Sequence, residues 1–337
     1  MNRFEYVRAY SVEDAIEALR PPGTKVLAGG TNLVDLMKYG VTRPSRLVDI
    51  NRLPLTAIEE LPGGGLRLGA LSTNADVAYA PPVAVHAPLV ASAILSGASA
   101  QLRNAATTAG NLLQRTRCMY FYDTSTPCNK RDPDTGCSAL HGINRMHAIL
   151  GASDQCVAVH PSDMCVAFAA LDARVNVVGA AGARAIAFRD FHRLPGDTPD
   201  VDTTLQPDEV VTSVELPPWR FAAHYTYLKV RDRLSYAFAL VSVAVALEVR
   251  DGRVATARLA LGGVAPKPWR SAGAEAVLAG EAPQRATFER AADVALEGAT
   301  ALSGNRFKIE LARRTVVRAL EQAAAAAPQS QSSKRVN

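Results

Sequence analysis

The sequence predicts an α+β protein: an α/β module over residues 1–221, then a smaller domain of antiparallel sheet plus helices over 222–327. Three observations predict it. Short strand and helix signals alternate through the first third of the chain, long strand material with a tight hairpin signal follows residue 222, and alanine-rich helical segments come last. At 337 residues, 48% apolar and 20% charged, the chain can bury two or three cores without covalent staples.

The elements follow in order. "RFEYVR" (3–8) reads as a strand, and Ser11 with Asp14 three residues later opens an amphipathic helix over "SVEDAIEALR" with a capping-box start. "KVLAGG" (25–30) is a short apolar run ending in two glycines; helical "NLVDLMKYG" (32–40) follows, and "RLVDI" (46–50) and "GLRLGAL" (65–71) read as strands. "SDMCVAFAALDARVNVVG" (162–179) reads as a short helix and a strand, and "DEVVTSVEL" (208–216) as a strand ended by Pro217 and Pro218. Beyond 222 the long strands turn at Asp251-Gly252, helices are expected over 272–279, 284–302 and 305–327, and the polar tail 328–337 is expected to be disordered.

Composition excludes several classes of function. The 37 Lys plus Arg against 32 Asp plus Glu give a net charge of +5, but the basic residues are scattered among acids with no aromatic-interleaved groove, which argues against nucleic acid. No apolar run reaches the ~18 residues of a membrane span. The start "MNRFEYVRAYS" carries no secretory signal, so a cytoplasmic chain is expected, or one exported with a partner.

Three short stretches carry site chemistry. Gly29 and Gly30 lie between a strand and a helix, where glycine lets the backbone approach a phosphate and free helix amides favour an anion. The spacing is neither G-x-G-x-x-G nor a P-loop, and a plain strand-to-helix turn would use the same glycines. "LRNAATTAGNLL" (102–113) sets small and hydroxyl residues around Gly110 and Asn111, and "HPSDM" (160–164) sets Asp163 beside a turn-forming Pro-Ser. Alone, each is also ordinary cap or loop chemistry.

As an ordered set, "LAGGTNLVDLMK", "GALSTNADV", "QLRNAATTAGNL", "PSDM", "LKVRDRLSYAFALVSVAV" and "LALGGVAPKPWR" resemble the FAD-binding subunit of the molybdenum hydroxylases, the xanthine dehydrogenase and aldehyde oxidoreductase family. The resemblance covers nearly the whole chain. It implies two α/β subdomains of a PCMH-type FAD-binding fold over 1–221 and a C-terminal domain like that of CO dehydrogenase flavoproteins over 222–327. It implies that Lys25, Val26, Leu27, Ala28, Gly29, Gly30, Thr31, Asn32 and Leu33 cradle the FAD pyrophosphate, and that Thr107, Thr108, Gly110 and Asn111 lie along the flavin. Asp163 would bind the ribityl region and Lys229 the flavin side of the site. Where other members carry an aromatic residue ten positions before the T-x-G-N stretch, this chain has Gly97.

Four of the five cysteines, Cys118, Cys128, Cys137 and Cys156, fall in one segment with the spacing C-x9-C-x8-C-x18-C. They lie between Asn111 and Asp163, which stand 52 positions apart here and close together in simpler members of the family. Residues from about 114 to 160 therefore read as an insertion between two stretches that both touch the flavin. Four thiolates suit a [4Fe-4S] or [2Fe-2S] cluster or a structural zinc, with reduced thiols or disulfides as alternatives. Zinc usually uses paired C-x2-4-C knuckles, absent here, and brings no electron chemistry to a flavin. The segment also resembles flavoprotein subunits of periplasmic-type aldehyde oxidoreductases that bear an extra [4Fe-4S] cluster, which implies that these four cysteines are its ligands.

Cys165, on the apolar side of a helix, reads as a small core residue. His141 and His147 read as surface or structural histidines, and Tyr120, Phe121 and Tyr122 as packing around the metal. Arg115, Arg117, Lys130 and Arg131 read as a solvated basic face.

With no G-x-S-x-G, no H-E-x-x-H and no paired carboxylates at helical spacing, no catalytic residue is expected in this chain. The resemblance implies a heterotrimer: a large molybdenum-cofactor subunit oxidises an aldehyde or heterocycle, a small subunit with two [2Fe-2S] clusters relays electrons to the FAD of this chain, and an external acceptor takes them. Export to the periplasm would depend on a signal-bearing small subunit. Two other readings are a stand-alone flavin reductase of the same fold and a zinc-stapled scaffold subunit.

Overall fold

A computed structural model gives the structure of the chain and describes residues 1–331. The first subdomain comprises β1 (Glu5–Arg8), α1 (Val12–Leu19), β2 (Thr24–Leu27), α2 (Leu33–Lys38) and β3 (Arg46–Asp49), its strands forming a parallel sheet in the order β1-β3-β2. Helix α1 begins as expected: Ser11 Oγ accepts from the Asp14 N–H at 3.0 Å, and the Asp14 carboxylate accepts from the Ser11 N–H at 3.1 Å. Two otherwise unpaired amides of the first turn are satisfied. Ala15, Ile16 and Leu19 are thereby set into one core with Val48 and Ile50.

The second subdomain starts with β4 (Ile58–Glu60) and β5 (Leu66–Gly69). Short helices follow: α3 (Asn74–Tyr79), α4 (Pro81–His86), α5 (Pro88–Ser96), α6 (Ala100–Ala105), α7 (Thr108–Leu112) and, inside the insertion, α8 (Met119–Tyr122). Then come α9 (Asp163–Ala170), β6 (Arg174–Gly179), β7 (Gly182–Ala187), α10 (Phe188–Phe191) and β8 (Val210–Leu216). The five strands pair antiparallel in the order β4-β5-β8-β6-β7.

The last part holds β9 (Tyr225–Val230), β10 (Val241–Arg250), β11 (Arg253–Gly262) and β12 (Trp269–Arg270), antiparallel in the order β12-β11-β10-β9. Asp251 and Gly252 have φ of 51° and 72°, the left-handed pair of a type I′ turn whose twist matches its strands. Three helices pack on one face: α11 (Ala272–Leu278), α12 (Arg285–Ala295) and α13 (Phe307–Ala324). The helix expected over 284–302 stops at Ala295, because Gly298 turns left-handed at φ 76° and the Thr300 N–H pairs with Ile149 O at 2.8 Å. The tail expected to be disordered is placed over 328–331 by Gln329 N–H bonding Thr226 Oγ1 at 2.9 Å and Gln331 Nε2 bonding Tyr227 O at 3.2 Å. Residues 332–337 lie outside the described residues. No helix among the described residues is long and apolar enough to cross a membrane.

Strand β10 separates two cores by simple alternation. Val241, Val243, Val245 and Leu247 pack with the C-terminal helices, while Ala244 and Ala246, with Ala260 of β11, join the core built around α9. Small residues on that face let α9 lie close to the sheet; a Cβ added to Gly262 would come within 2.5 Å of Val166 Cγ2. Every residue of α9 from Met164 to Ala170 is buried, as befits a helix apolar all round. Its start is capped by Ser162 Oγ, which accepts from the Cys165 N–H at 3.0 Å. The apolar core therefore runs unbroken past residue 222, and Asp163 emerges at the seam.

Near α7, the rings of His160 and His192 meet edge to face with centroids 4.4 Å apart. Burial pulls His192 down to about 4 and His160 well below 6.5. Histidines buried neutral take up protons on unfolding, so the stability they contribute above pH 6.5 is lost as pH falls toward 4. His192→Gln should flatten the slope of unfolding free energy against pH in that window by up to one proton. Urea unfolding at several pH values would show it, and an unchanged slope contradicts it.

Candidate functional site

The glycine loop leaves β2 at Leu27 and enters α2 at Leu33. Gly30 takes φ 69°, open to glycine at little cost. A Cβ on Gly29 would fall 1.8 Å from Ala105 O, so the loop backbone touches the α6–α7 junction directly. Asn32 Oδ1 accepts from the Arg115 N–H at 2.9 Å, tying the loop to the start of the insertion. On the facing side, Thr107 Oγ1 caps α7 by accepting from the Gly110 N–H at 3.2 Å.

Two clefts run between these segments. One, of about 440 Å³, is lined by the loop from Lys25 to Leu33 except Leu27, and by Thr107 and Gly110. The other, of about 350 Å³, is lined by Thr31, Asn32, Gly110, Asn111, Asp163 and Lys229. Thr31, Asn32 and Gly110 belong to both, so the clefts are continuous and together reach the size of pockets for large ligands. Thr108 lines neither: it is fully buried, and its N–H and hydroxyl both bond Ser72 O, at 2.9 and 3.1 Å. Its part is to anchor α7.

At the inner end, Asp163 Oδ2 accepts from Lys229 Nζ at 2.7 Å and Oδ1 from the Tyr227 hydroxyl at 2.7 Å. Alternation along β9 puts Tyr227 and Lys229 on one face. The ion pair is nearly closed to solvent, with side chains 3% and 10% exposed for Lys229 and Asp163. A Cβ at Gly97 would meet Asp163 Oδ2 at 2.9 Å, so glycine at this position leaves the carboxylate room. Asn111 Oδ1 accepts from Ser162 Oγ at 2.5 Å and Gln114 Nε2 at 2.7 Å. Sequence reasoning missed Ser162, Gln114 and Tyr227; a Ser before an apolar helix is a visible cap signal, the other two left none.

At the outer end, Lys25, Arg115 and Asp202 line the larger cleft. Burial would raise the Asp202 carboxyl, but Arg115, with Nε at 2.6 Å, and Lys130 outweigh it and hold it below the usual range. Burial lowers Lys25, with Arg115 adding repulsion. Lys25 and Arg115 share this end with Asp200, Asp202 and Glu209, so its two cations stand among acids, with Arg115 already paired to Asp202.

All four clustered cysteines line one small cavity inside the insertion, with Tyr120, Phe121 and Lys130. None of them is in a disulfide. The Ala158 N–H reaches Cys156 Sγ at 3.5 Å, and the backbone amides of Phe121 and Tyr120 beside Cys118, and of Arg131 and Lys130 beside Cys128, favour the thiolate forms against burial. Such N–H donors to sulfur are what thiolate-held clusters use. Burial pushes Cys118 up to about 12 and Cys156 to about 11, so deprotonation calls for positive charge in the cavity. Among the described residues, the quartet forms no group of three donors all within 4.8 Å of one another.

The basic residues around the cavity are not the solvated face expected. Arg131 is 6% exposed at its side chain and donates to the carbonyls of Tyr120, Phe121 and Asp123, while Lys130 bonds Asp202 and Pro199 O. An insertion with one four-residue helix leaves carbonyls that need donors, and arginine supplies several from one group. His141 is exposed, but His147 is buried with Nε2 3.1 Å from Cys118 Sγ. Cys165 is fully buried, and its sulfur lies within 4.8 Å of nitrogens of His160 and His192. His192 Nε2 bonds Leu112 O and His160 Nδ1 accepts from the Ser162 N–H, which sets complementary tautomers on the two rings and leaves no pair of free lone pairs for an ion.

Residues 2–219 match the FAD binding domain in molybdopterin dehydrogenase, and residues 225–323 match the CO dehydrogenase flavoprotein C-terminal domain. The aldehyde oxidoreductase FAD-binding subunit PaoB of Escherichia coli is 49% identical over 329 residues, 97% of this chain and 100% of that one. Carbon monoxide dehydrogenase from Hydrogenophaga pseudoflava superposes with a TM-score of 0.75 at 28% identity, over 96% of this chain and 98% of that chain. Quinoline 2-oxidoreductase from Pseudomonas putida gives 0.74 at 26%, over 97% and 98%. The chain, with its glycine loop, its capped α7 and its two subdomains before a C-terminal sheet, belongs to the FAD-binding flavoprotein family of the molybdopterin dehydrogenases.

Proposed function

We propose that this chain is the FAD- and [4Fe-4S]-bearing medium subunit of a heterotrimeric molybdenum-dependent aldehyde oxidoreductase, working with a large molybdenum-cofactor subunit and a small [2Fe-2S] subunit to deliver electrons to an external acceptor. The observation that carries this reading is the placement of the four-thiol cavity in the segment joining Asn111 to Asp163, both of which line the flavin cleft. End-to-end similarity to the E. coli aldehyde oxidoreductase subunit supports the aldehyde class.

FAD, when bound, exchanges electrons singly or in pairs, and a [4Fe-4S] cluster exchanges them singly. The residues of the chain hold and orient. Amides of the loop at Gly29 and Gly30, with Lys25 and Arg115 beside them, would take the phosphates. Ser162 and Gln114 occupy the carbonyl oxygen of Asn111 and so turn its NH2 to the cleft as a donor. The Asp163–Lys229 pair sets a fixed dipole at the inner end, and Thr107, capping α7, keeps Gly110 flat against the cleft.

Gly30→Val tests the flavin site. At φ 69° and with Val34 Cγ2 3.0 Å from an added Cβ, the substitution should push the loop out of phosphate reach and leave a folded protein with at least tenfold less FAD. A yellow variant with the flavin content of the wild type would contradict the site. Gly29 is unsuited to the test, since its replacement strikes the Ala105 backbone.

Serine replacement of each cysteine, read by iron and acid-labile sulfide, tests the metal assignment. About four irons per chain are expected in the wild type and in Cys165→Ser, and loss of iron at Cys118, Cys128, Cys137 or Cys156. Zinc in the wild type, or a flavin spectrum without iron, would sink it.

A further inference from the structure

We propose that His147 is a positioning residue for the iron-sulfur site: its Nε2–H bonds the sulfur of Cys118, makes that ligand the flavin-facing side of the cluster and holds the cluster's reduction potential up. The inference rests on the reading of the four cysteines as cluster ligands.

The contact is specific. His147 Nε2 lies 3.1 Å from Cys118 Sγ, and a thiolate, having no proton, can share that contact only if the nitrogen carries one. The other ring nitrogen, Nδ1, is buried with no partner. The sulfur is thus the polar partner of a ring 95% shielded, since His147 is 5% exposed. Burying a polar ring with half its capacity unused is costly, and an aliphatic residue would fill the space at less expense if packing were its purpose.

The ring is also held from a distance. His147 O accepts from Lys308 Nζ at 2.8 Å and from Asn305 Nδ2 at 3.2 Å, both brought by the segment that starts α13. Lys308 is fully buried and donates as well to Met146 O and Gly263 O, at 3.3 and 2.5 Å. Among the described residues it has no carboxylate partner. The C-terminal domain thus supplies the clamp on the His147 backbone.

The side on which this happens faces the flavin cleft. A cavity of about 260 Å³ is lined by Cys118, His147, Ser162, Asp163 and Phe238; of the four clustered cysteines, Cys118 is the one that borders it. Ser162, Asp163 and Phe238 also line the flavin cleft. Hydrogen bonds to ligand sulfur stabilise the reduced, more negative cluster and raise its potential.

The test uses the full complex with His147→Leu and His147→Gln. Iron and sulfide are determined first, then the midpoint by EPR-monitored redox titration, and the coupling of exchangeable protons by ENDOR after transfer to deuterium oxide. The Leu variant should keep its iron, lose one exchangeable coupling, and shift about tenfold toward the oxidised cluster, ~59 mV lower for one electron. The Gln variant, able to donate, should recover part of both. A Leu variant with intact cluster, unchanged midpoint and unchanged coupling overturns the proposal. If Leu sheds the cluster, Gln decides: an iron-bearing Gln variant with no exchangeable coupling overturns it too, and one that retains the coupling supports it. A wild-type complex without iron on this chain overturns the cluster reading itself.

Discussion

The carboxylate of Asp163 is the constraint on which the rest of the molecule depends. It sits at the first residue of a helix buried on every side, and its oxygens are taken by Tyr227 and Lys229 from the neighbouring sheet. Burial of an ion pair stabilises little by itself, but breaking one such pair costs about 3–5 kcal/mol because the survivor is left charged in a poor solvent. The pair therefore acts as a latch: α9 and β9 have one register in which both charges are matched. The glycine at 97, the alanines of β10 and Gly262 all read as space kept for that register. Since Asp163 and Lys229 line the same cleft as Asn111 and Gly110, the latch that joins the two parts of the chain also shapes the inner end of the cleft proposed for the flavin.

The insertion solves a different problem. It carries little regular structure, one four-residue helix and two isolated bridges, and its apolar packing is split, Phe121 and Cys128 meeting Leu36 of α2 while Ile149 and Leu150 join the C-terminal core. Long cations add to its backbone bonds: Arg131 from within, Arg115 to Asp202, and Lys308 from the C-terminal domain. The four sulfurs line one cavity, with backbone amides beside Cys118, Cys128 and Cys156. A metal group bound there would tie the segment together, so its stability and its chemistry share one set of contacts.

Much of this was legible in the sequence, and the limits have physical causes. Ser11 with Asp14 and Asp251-Gly252 are local signals, and each marks the capped helix or tight turn it suggested; the glycine pair lies in the strand-to-helix loop where it was expected, and the four clustered cysteines line one cavity. The helices α3 to α7, of five to nine residues, are too short to display a helical period. The α12 region looked helical to 302 because its composition stays favourable, and it ends early through a pairing with Ile149, 151 residues away. Thr108 belongs to the expected motif but turns inward to Ser72. The basic residues near the cysteines appeared solvated since their partners, Asp202 and scattered carbonyls, are remote in sequence. Ion pairs and clamps of this kind are tertiary facts, with no signature in composition or spacing.

The account's central claim is that the Asp163–Lys229 latch couples the joining of the two parts to flavin binding. A double-mutant cycle with Asp163→Asn and Lys229→Met, measured as both unfolding free energy and FAD affinity, tests it most directly. The account predicts that each single variant loses about 3–5 kcal/mol of stability together with most of its FAD affinity, and that the double variant is more stable than the sum of the two losses implies. Additive losses in stability, or single variants that bind FAD as tightly as the wild type, would contradict it.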